Sequence, residues 1–234
     1  MTRRKRAPRN SATSRKEQIL DVATKLFHKK GYTGASVQNL ADAVGISKAT
    51  LYYHIGSKER LLYEIHERFL NEGFELLEPL EQSPDSPTNK LINYFIGQCQ
   101  LTHRRGLEMA VAMAELDRLS TSRRKTMVAK RDQYLDVLVR TLQAGVDSGE
   151  FRPIDPRLGA LCVMGMVNWL HRWYQRDGAL SPEDLGRFMA SIVLSGLSAE
   201  PTAANLAALD GFAAPSAISD GEPQAVSARA PSTR

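Results

Sequence analysis

The chain has 234 residues, 42% of them hydrophobic, a formal net charge of +5 and two cysteines. That length allows one large or two small cores, and the positive balance favours an anionic partner without naming it. Cys99 and Cys162 have no spacing suited to zinc or redox chemistry and read as buried, reduced thiols. The most apolar run, 160–170, is too short to span a bilayer and contains Asn168. No apolar segment follows the basic N-terminus, so a signal peptide is not expected and a cytoplasmic, membrane-free protein is.

Taken in order, the chain opens with Arg3, Arg4, Lys5, Arg6, Arg9, Arg15 and Lys16 ahead of its first acid, Glu17. Residues 1–14 read as a basic disordered arm that is either a solvated tail or a source of extra phosphate contacts. Ile19, Leu20, Ala23, Leu26 and Phe27 then repeat on one face of a helix, which Gly31 stops. Ser36 caps a helix over 37–44 that buries Val37, Leu40, Ala41 and Val44. Gly45 is placed for a left-handed turn. Ser47 caps a third helix of about seven residues, and Ser57-Lys-Glu opens a long fourth with Leu61, Leu62, Ile65 and Phe69 on one side.

Pro79, Pro84 and Pro87 mark a break. Beyond it the pattern predicts one helix carrying Leu91, Ile92, Phe95, Ile96 and Cys99, another over 107–116, and a long one over 121–148 ended by Gly149. A further helix runs from Pro156 to about 175. The last opens at Ser181-Pro-Glu-Asp, with a cap, a first-turn proline and acids at the positive end, and reaches about 197. No run alternates apolar and polar residues as strands require, so the fold class is all-α. Residues 199–234 turn to Ala, Pro, Ser and Gly and read as a disordered tail.

The segment 47–55 carries small, hydroxylic, aromatic and basic side chains where a solvated helix would carry Glu and Lys. That surface suits a helix lodged in a DNA groove. Ala49 keeps the face low. Thr50 offers a hydroxyl to phosphate and a methyl to thymine, and Lys48 reaches a base acceptor or a phosphate. Tyr52, Tyr53 and His54 supply donors where the duplex backbone should pass. Lys58 adds charge at the positive end of the next helix, and the Gln38 amide suits adenine. Taken singly, Tyr52 also reads as a core tyrosine and His54 as a surface residue; the spacing of the whole set carries the argument.

Residues 15–62 resemble the DNA-binding domain of TetR-family transcriptional regulators. The resemblance runs through Ile19-Leu-Asp-Val-Ala-Thr-Lys-Leu-Phe, Gly31-Tyr, Gly45-Ile-Ser-Lys-Ala-Thr-Leu-Tyr-Tyr-His and Ser57-Lys-Glu. Ile55 stands where the family usually has Phe. The resemblance implies a three-helix helix-turn-helix domain over 15–62, a larger helical ligand-binding and dimerisation domain over 63–198, and a homodimer on a palindromic double-stranded operator. It implies phosphate contacts at Tyr52, Tyr53, His54 and Lys58, with Ser36 and Ser47 contributing, and base contacts at Gln38, Lys48, Ala49 and Thr50.

In the second half, Val167-Asn-Trp-Leu-His-Arg-Trp-Tyr and the helix after Ser181 resemble the branch of that family responding to acyl-CoA thioesters. Such an effector needs an adaptable apolar tunnel and cations. Phe95, Met109, Met113, Tyr134, Asn168, Trp169 and Arg172 are the candidate ligand residues, with Arg172 expected to need a partner among its tryptophans. Arg131 is among several further cations in these helices. A methionine-rich helical core is equally the ordinary reading of those Met residues.

The last two long helices, with Leu161, Met164, Val167 and Leu170 and with Leu185, Phe188, Met189, Ile192 and Val193, are the expected dimer interface. A hydrophobic drug sensor governing efflux and a ligand-free DNA binder are the alternative readings. The five histidines lie on separate segments without a nucleophile elbow or phosphate loop, so no catalytic residue, metal or cofactor is expected.

Overall fold

A computed structural model describes residues 15–199. The basic arm, 1–14, and all but the first residue of the tail, 199–234, lie outside them. Among the described residues the chain forms α1 (Arg15–Gly34), α2 (Val37–Val44), α3 (Lys48–Ile55), α4 (Lys58–Gln82), α5 (Pro87–Ala114), a 3-10 turn (Leu116–Arg118), α6 (Thr121–Asp147), α7 (Pro156–Asn168), α8 (Leu170–Trp173) and α9 (Pro182–Leu197). One antiparallel bridge, Phe151 to Ser198, is the nearest approach to a sheet among them. The expected all-α architecture holds.

Local chemistry sets most boundaries as expected. The side chains of Ser36, Ser47, Ser57, Ser86 and Ser181 each accept a backbone N–H three residues on, satisfying a donor the first helical turn leaves free. Gly31 takes φ 72° and breaks α1 before its last residues, a conformation nearly closed to residues with a Cβ. The structure departs from expectation at four places. Helix α4 runs through Pro79 to Gln82. The ring removes one hydrogen bond in the final turns, on the exposed side of the helix, where water can replace it. The two helices anticipated either side of residue 105 are one, α5, with a kink at Arg105 (φ −123°, ψ 24°). The helix expected from Pro156 to about 175 ends at Asn168, and only the single turn of α8 follows. Cys99 is buried, but Cys162 is exposed on the outer side of α7.

Two apolar cores result. The first joins α1 to α4 through Ile19, Phe27, Leu40, Leu51, Ile55, Leu62 and Ile65, and extends to Leu101 and Met109 of α5 and Met127 of α6. The second joins α5, α6, α7 and α9 through Phe95, Leu138, Leu142, Val163, Leu185 and Met189. Helix α4 belongs to both, with Leu61 to Leu70 in the first and Leu77 in the second. The anticipated boundary at 62/63 therefore falls inside a continuous helix. Beside it, Glu108 of α5 is nearly buried and accepts from Arg68 (2.6 Å) and Arg105 (3.2 Å). Arg68 also reaches Asp21 of α1 (2.8 Å), and Arg105 reaches Glu72 of α4 (2.7 Å). Each charge of this cluster is thus paired, and α1, α4 and the kink of α5 are tied together.

Candidate nucleic-acid interface and effector cavity

Helices α2 and α3 are held at a fixed angle by their turn. Gly45 adopts φ 72°, ψ 40°, and its N–H and that of Ile46 return to Asp42 and Ala41 carbonyls at 3.1 and 3.0 Å. Ser36 and Asn39 form a reciprocal cap, with Asn39 N–H donating to Ser36 Oγ (3.0 Å) and Ser36 N–H to Asn39 Oδ1 (3.1 Å). Ser47 Oγ accepts from Thr50 N (3.0 Å) and lies 2.8 Å from Thr50 Oγ1, so the cap also orients that hydroxyl. Leu51 and Ile55 are fully buried and anchor α3 from beneath.

The rest of α3, His54 apart, faces outward. Lys48, Ala49 and Thr50 are exposed, as are Tyr52 (46%) and Tyr53 (87%). Tyr52 is therefore not a core tyrosine. His54 is half-buried and makes an edge contact with Tyr53. Helix α3 contains no acid. Nearby carboxylates are occupied elsewhere: Glu59 by the Ser120 N–H (2.9 Å) and Arg123 (2.6 Å), and Glu64 by Lys16 and Arg60. The Ser120 N–H and Arg123 together hold the Glu59 carboxyl below its ordinary pKa. Gln38 is exposed but donates to Asp42 Oδ1 at 2.5 Å. Lys58 departs from the simple expectation. Its ammonium turns back to donate to the Tyr32 carbonyl (2.5 Å) and sits 4.2 Å from the centre of the Tyr32 ring. Partial burial lowers its pKa.

A cavity lies between α4, α5, α6 and α7, with about 520 Å³ of empty space counting its open mouth. Phe69, Leu70, Leu101, Met113 and Met164 form its apolar wall, and Tyr94, Gln98, Arg131, Tyr134 and Asn168 its polar groups. Gly73 admits the Tyr134 ring, whose edge would lie 3.0 Å from a Cβ at that position. Gln98 Nε2 donates to the Tyr134 hydroxyl. Burial raises the pKa of both Tyr94 and Tyr134, so both phenols are neutral donors at physiological pH.

Of the candidate ligand residues, the cavity brings together Met113, Tyr134 and Asn168. Phe95 and Met109 are fully buried in the two cores and lie off the lining, because their faces of α5 pack against other helices. Trp169 (60% exposed) and Arg172 point outward, because the helix breaks at Trp169. Arg172 meets its need for a partner with solvent and the Trp169 ring, 5.5 Å away. Sequence reasoning did not place Tyr94, Gln98 or the α4 wall at a ligand. Arg131 had a legible signal: it shares the face of Met127, Tyr134 and Leu138 at spacings of four, three and seven, a cation on an otherwise apolar stripe.

The faces of α7 and α9 also sort differently from expectation. Val167, Leu185 and Met189, with Leu170 of α8, are spent in the second core, and Met164 lines the cavity. Leu158, Leu161, Phe188 (42%) and Ile192 (52%) remain exposed on α7 and α9. No helix among the described residues is long and apolar enough to cross a membrane. No group of three or more His, Cys, Asp or Glu residues among them is arranged to hold a metal ion.

Two family models match the chain: bacterial regulatory proteins of the tetR family over residues 19–65, and the tetracyclin repressor-like C-terminal domain over residues 84–197. The HTH-type transcriptional repressor KstR2 of Mycolicibacterium smegmatis is 30% identical over 188 residues, covering 79% of this chain and 91% of that protein. Among solved structures, the TetR family transcriptional regulator PfmR from Thermus thermophilus superposes with a TM-score of 0.71 at 35% identity, covering 75% of this chain and 96% of that one. AibR in complex with isovaleryl coenzyme A and operator DNA superposes with a TM-score of 0.70 at 30% identity, covering 76% and 97%.

Proposed function

The chain belongs to the TetR family of bacterial regulatory proteins, and from that premise we propose that it is a ligand-responsive repressor that binds a palindromic operator as a homodimer and responds to an acyl-CoA-like metabolite. The observation that carries the reading is α3. Its apolar residues Leu51 and Ile55 are fully buried, while Lys48, Ala49, Thr50, Tyr52 and Tyr53 form an exposed, acid-free surface. A helix so anchored fits the major groove with its N-terminal residues at base edges. Lys48, Ala49, Thr50 and Gln38 are the base-reading set, and Tyr52, Tyr53, His54, Ser36 and Ser47 the phosphate set. Lys58 joins the phosphate set when a phosphate oxygen displaces the Tyr32 carbonyl from its ammonium. The exposed apolar face of α7 and α9 supplies the dimer contact, and a two-fold dimer implies an inverted-repeat operator.

The effector reading rests on the cavity and on the likeness to AibR, which is structured with an acyl-coenzyme A and operator DNA. Phe69, Leu70 and Gly73 place α4 in the cavity wall, and the N-terminal half of α4 packs beneath α3. At the far end of α5, Glu115 Oε1 accepts from Tyr32 N (2.9 Å), so movement of that end also reaches α1. An effector that spreads α4 from α6 changes the separation of the two α3 helices. A coupling free energy of about 1–3 kcal/mol suffices for a useful change in operator occupancy. Effector binding releasing the DNA is the proposed direction.

The test is a footprint on DNA upstream of the gene, at several salt concentrations, with and without isovaleryl-CoA and longer acyl-CoAs. Protection of an inverted repeat that an acyl-CoA lifts supports the reading. Protection without sequence preference, unmoved by any thioester, refutes it. An inverted repeat released only by hydrophobic drugs keeps the repressor and replaces the effector.

A further inference from the structure

The effector cavity holds a cation that no acid among the described residues neutralises. Arg131 Nη2 donates to the Ala112 carbonyl at 3.0 Å, close to the C-terminus of α5, where the helix leaves carbonyls without intrahelical partners. Its Nε is buried with no partner among the described residues. Arg131 makes no ion pair among them. The two acids nearest along α5 are committed elsewhere, Glu108 to Arg68 and Arg105, and Glu115 to Tyr32 N–H and Arg118. His66 packs nearby but is fully buried and kept neutral, its Nδ1 on the Leu62 carbonyl (2.9 Å). Across the cavity, the Tyr94 hydroxyl is also buried beside that of Tyr134 without a hydrogen bond of good geometry.

A half-buried guanidinium whose Nε is shut away from water without a counter-charge is costly and survives where something else completes it. A guanidinium is also the group best shaped to take a carboxylate through two N–H donors. The same cavity is lined by two neutral phenols and the amides of Gln98 and Asn168, groups that donate to carboxylate oxygen. We propose that the part of the effector entering this cavity ends in a carboxylate that pairs with Arg131. For an acyl thioester, that makes the effector class the monothioesters of dicarboxylic acids. The inference rests on the reading of this cavity as the effector site. It adds a regulatory consequence: the carboxylate competes with the Ala112 carbonyl for Arg131 and loosens the α6 hold on the end of α5 that carries Glu115.

The test compares adipoyl-CoA with hexanoyl-CoA, which share a six-carbon acyl chain and differ in the terminal carboxylate. Both are titrated calorimetrically into the full-length protein. Adipoyl-CoA is expected to bind at least about tenfold more tightly, a difference of about 1.4 kcal/mol. Arg131→Leu should abolish the preference, and Arg131→Lys should keep part of it. Both variants are checked by thermal melting, and the Lys variant carries the test if the Leu variant does not fold. Equal or tighter binding of hexanoyl-CoA to the wild type overturns the inference while leaving an acyl-CoA effector standing, and so does a preference that survives in Arg131→Leu. If neither thioester binds, the acyl-CoA reading fails. Hexanoate is then set against hexan-1-ol: an Arg131-dependent preference for hexanoate upholds the carboxylate site, and its absence overturns it.

Discussion

Gly186→Ala tests a close backbone contact between α9 and α5 in the second core. A Cβ on Gly186 of α9 would lie 2.5 Å from Ile96 Cα, 2.7 Å from Ile96 N and 2.9 Å from the Phe95 carbonyl carbon of α5. These are backbone atoms, so no rotamer change relieves the clash. Carbon atoms meet comfortably at about 3.5–4.0 Å, so α9 must withdraw from α5 by roughly 1 Å. Overpacking of this kind costs about 1–3 kcal/mol. The upper half of that range applies because a rigid helix, not a side-chain tip, has to move. With a urea dependence of about 2 kcal/mol per molar, the unfolding midpoint should fall by about 1 M. Gly196→Ala on the same helix is the control. Nothing lies within 4 Å of its Cβ position, so the substitution gains up to about 1 kcal/mol of helix propensity. Urea titrations of the two variants beside the wild type, followed by circular dichroism, give the answer. If both shift alike, or Gly186→Ala stays within about 0.5 kcal/mol of wild type, α9 does not approach α5 as closely as described and the reasoning fails.

Removing the Lys58 charge with Lys58→Met should weaken binding to specific and non-specific DNA alike and lower the salt slope by about 1 per subunit. It should also cost about 1 kcal/mol of stability, since the Tyr32 carbonyl loses its donor. Thr50→Ala should instead relax discrimination at one base pair per half-site, by about 1–3 kcal/mol in a competition assay; a uniform loss would remove Thr50 from base reading. Ile192→Glu, on the exposed face of α9, should leave the melting curve nearly unchanged but yield a monomer by light scattering. Its affinity for a full inverted repeat should fall to that of a half-site; a variant that remains dimeric moves the interface elsewhere. Burial lowers the pKa of His66 below its ordinary 6.5, so the unfolded chain takes up that proton first. The His66 contribution is therefore neutral above about pH 6.5, and stability is lost as pH falls from there toward the folded value. Urea midpoints measured from pH 7 to 5 should decline, and more shallowly in His66→Gln; parallel declines would clear His66 of the effect.

Much of the first half of the protein is written locally. Ser36, Gly45 and Ser47 fix α2, the turn and α3 through bonds spanning three or four residues. The outward set on α3 follows because a helix that buries Leu51 and Ile55 must present Lys48, Ala49, Thr50, Tyr52 and Tyr53 elsewhere. Short-range hydrogen bonding and helical periodicity do not depend on the rest of the chain, so the sequence alone determined those features. Lys58 is the exception in that region, because its partner, the Tyr32 carbonyl, is 26 residues away.

The second half was decided by packing between distant helices. Which face of α5 points into the cavity depends on α4, α6 and α9. Periodicity alone therefore did not separate Tyr94 and Gln98, on the lining, from Phe95 and Met109, off it. The break at Trp169 turned two expected ligand residues to solvent. The apolar residues of α7 and α9 were all legible as apolar, but only the fold divided them into Val167 and Met189 inside and Phe188 and Ile192 outside. Arg131 joins both kinds of information. Its place on the apolar face of α6 is plain in the sequence, while the absence of an acid to meet it among the described residues is a property of three-dimensional neighbours. Helical period assigns a residue to a face; only the long-range arrangement of other helices determines what that face meets.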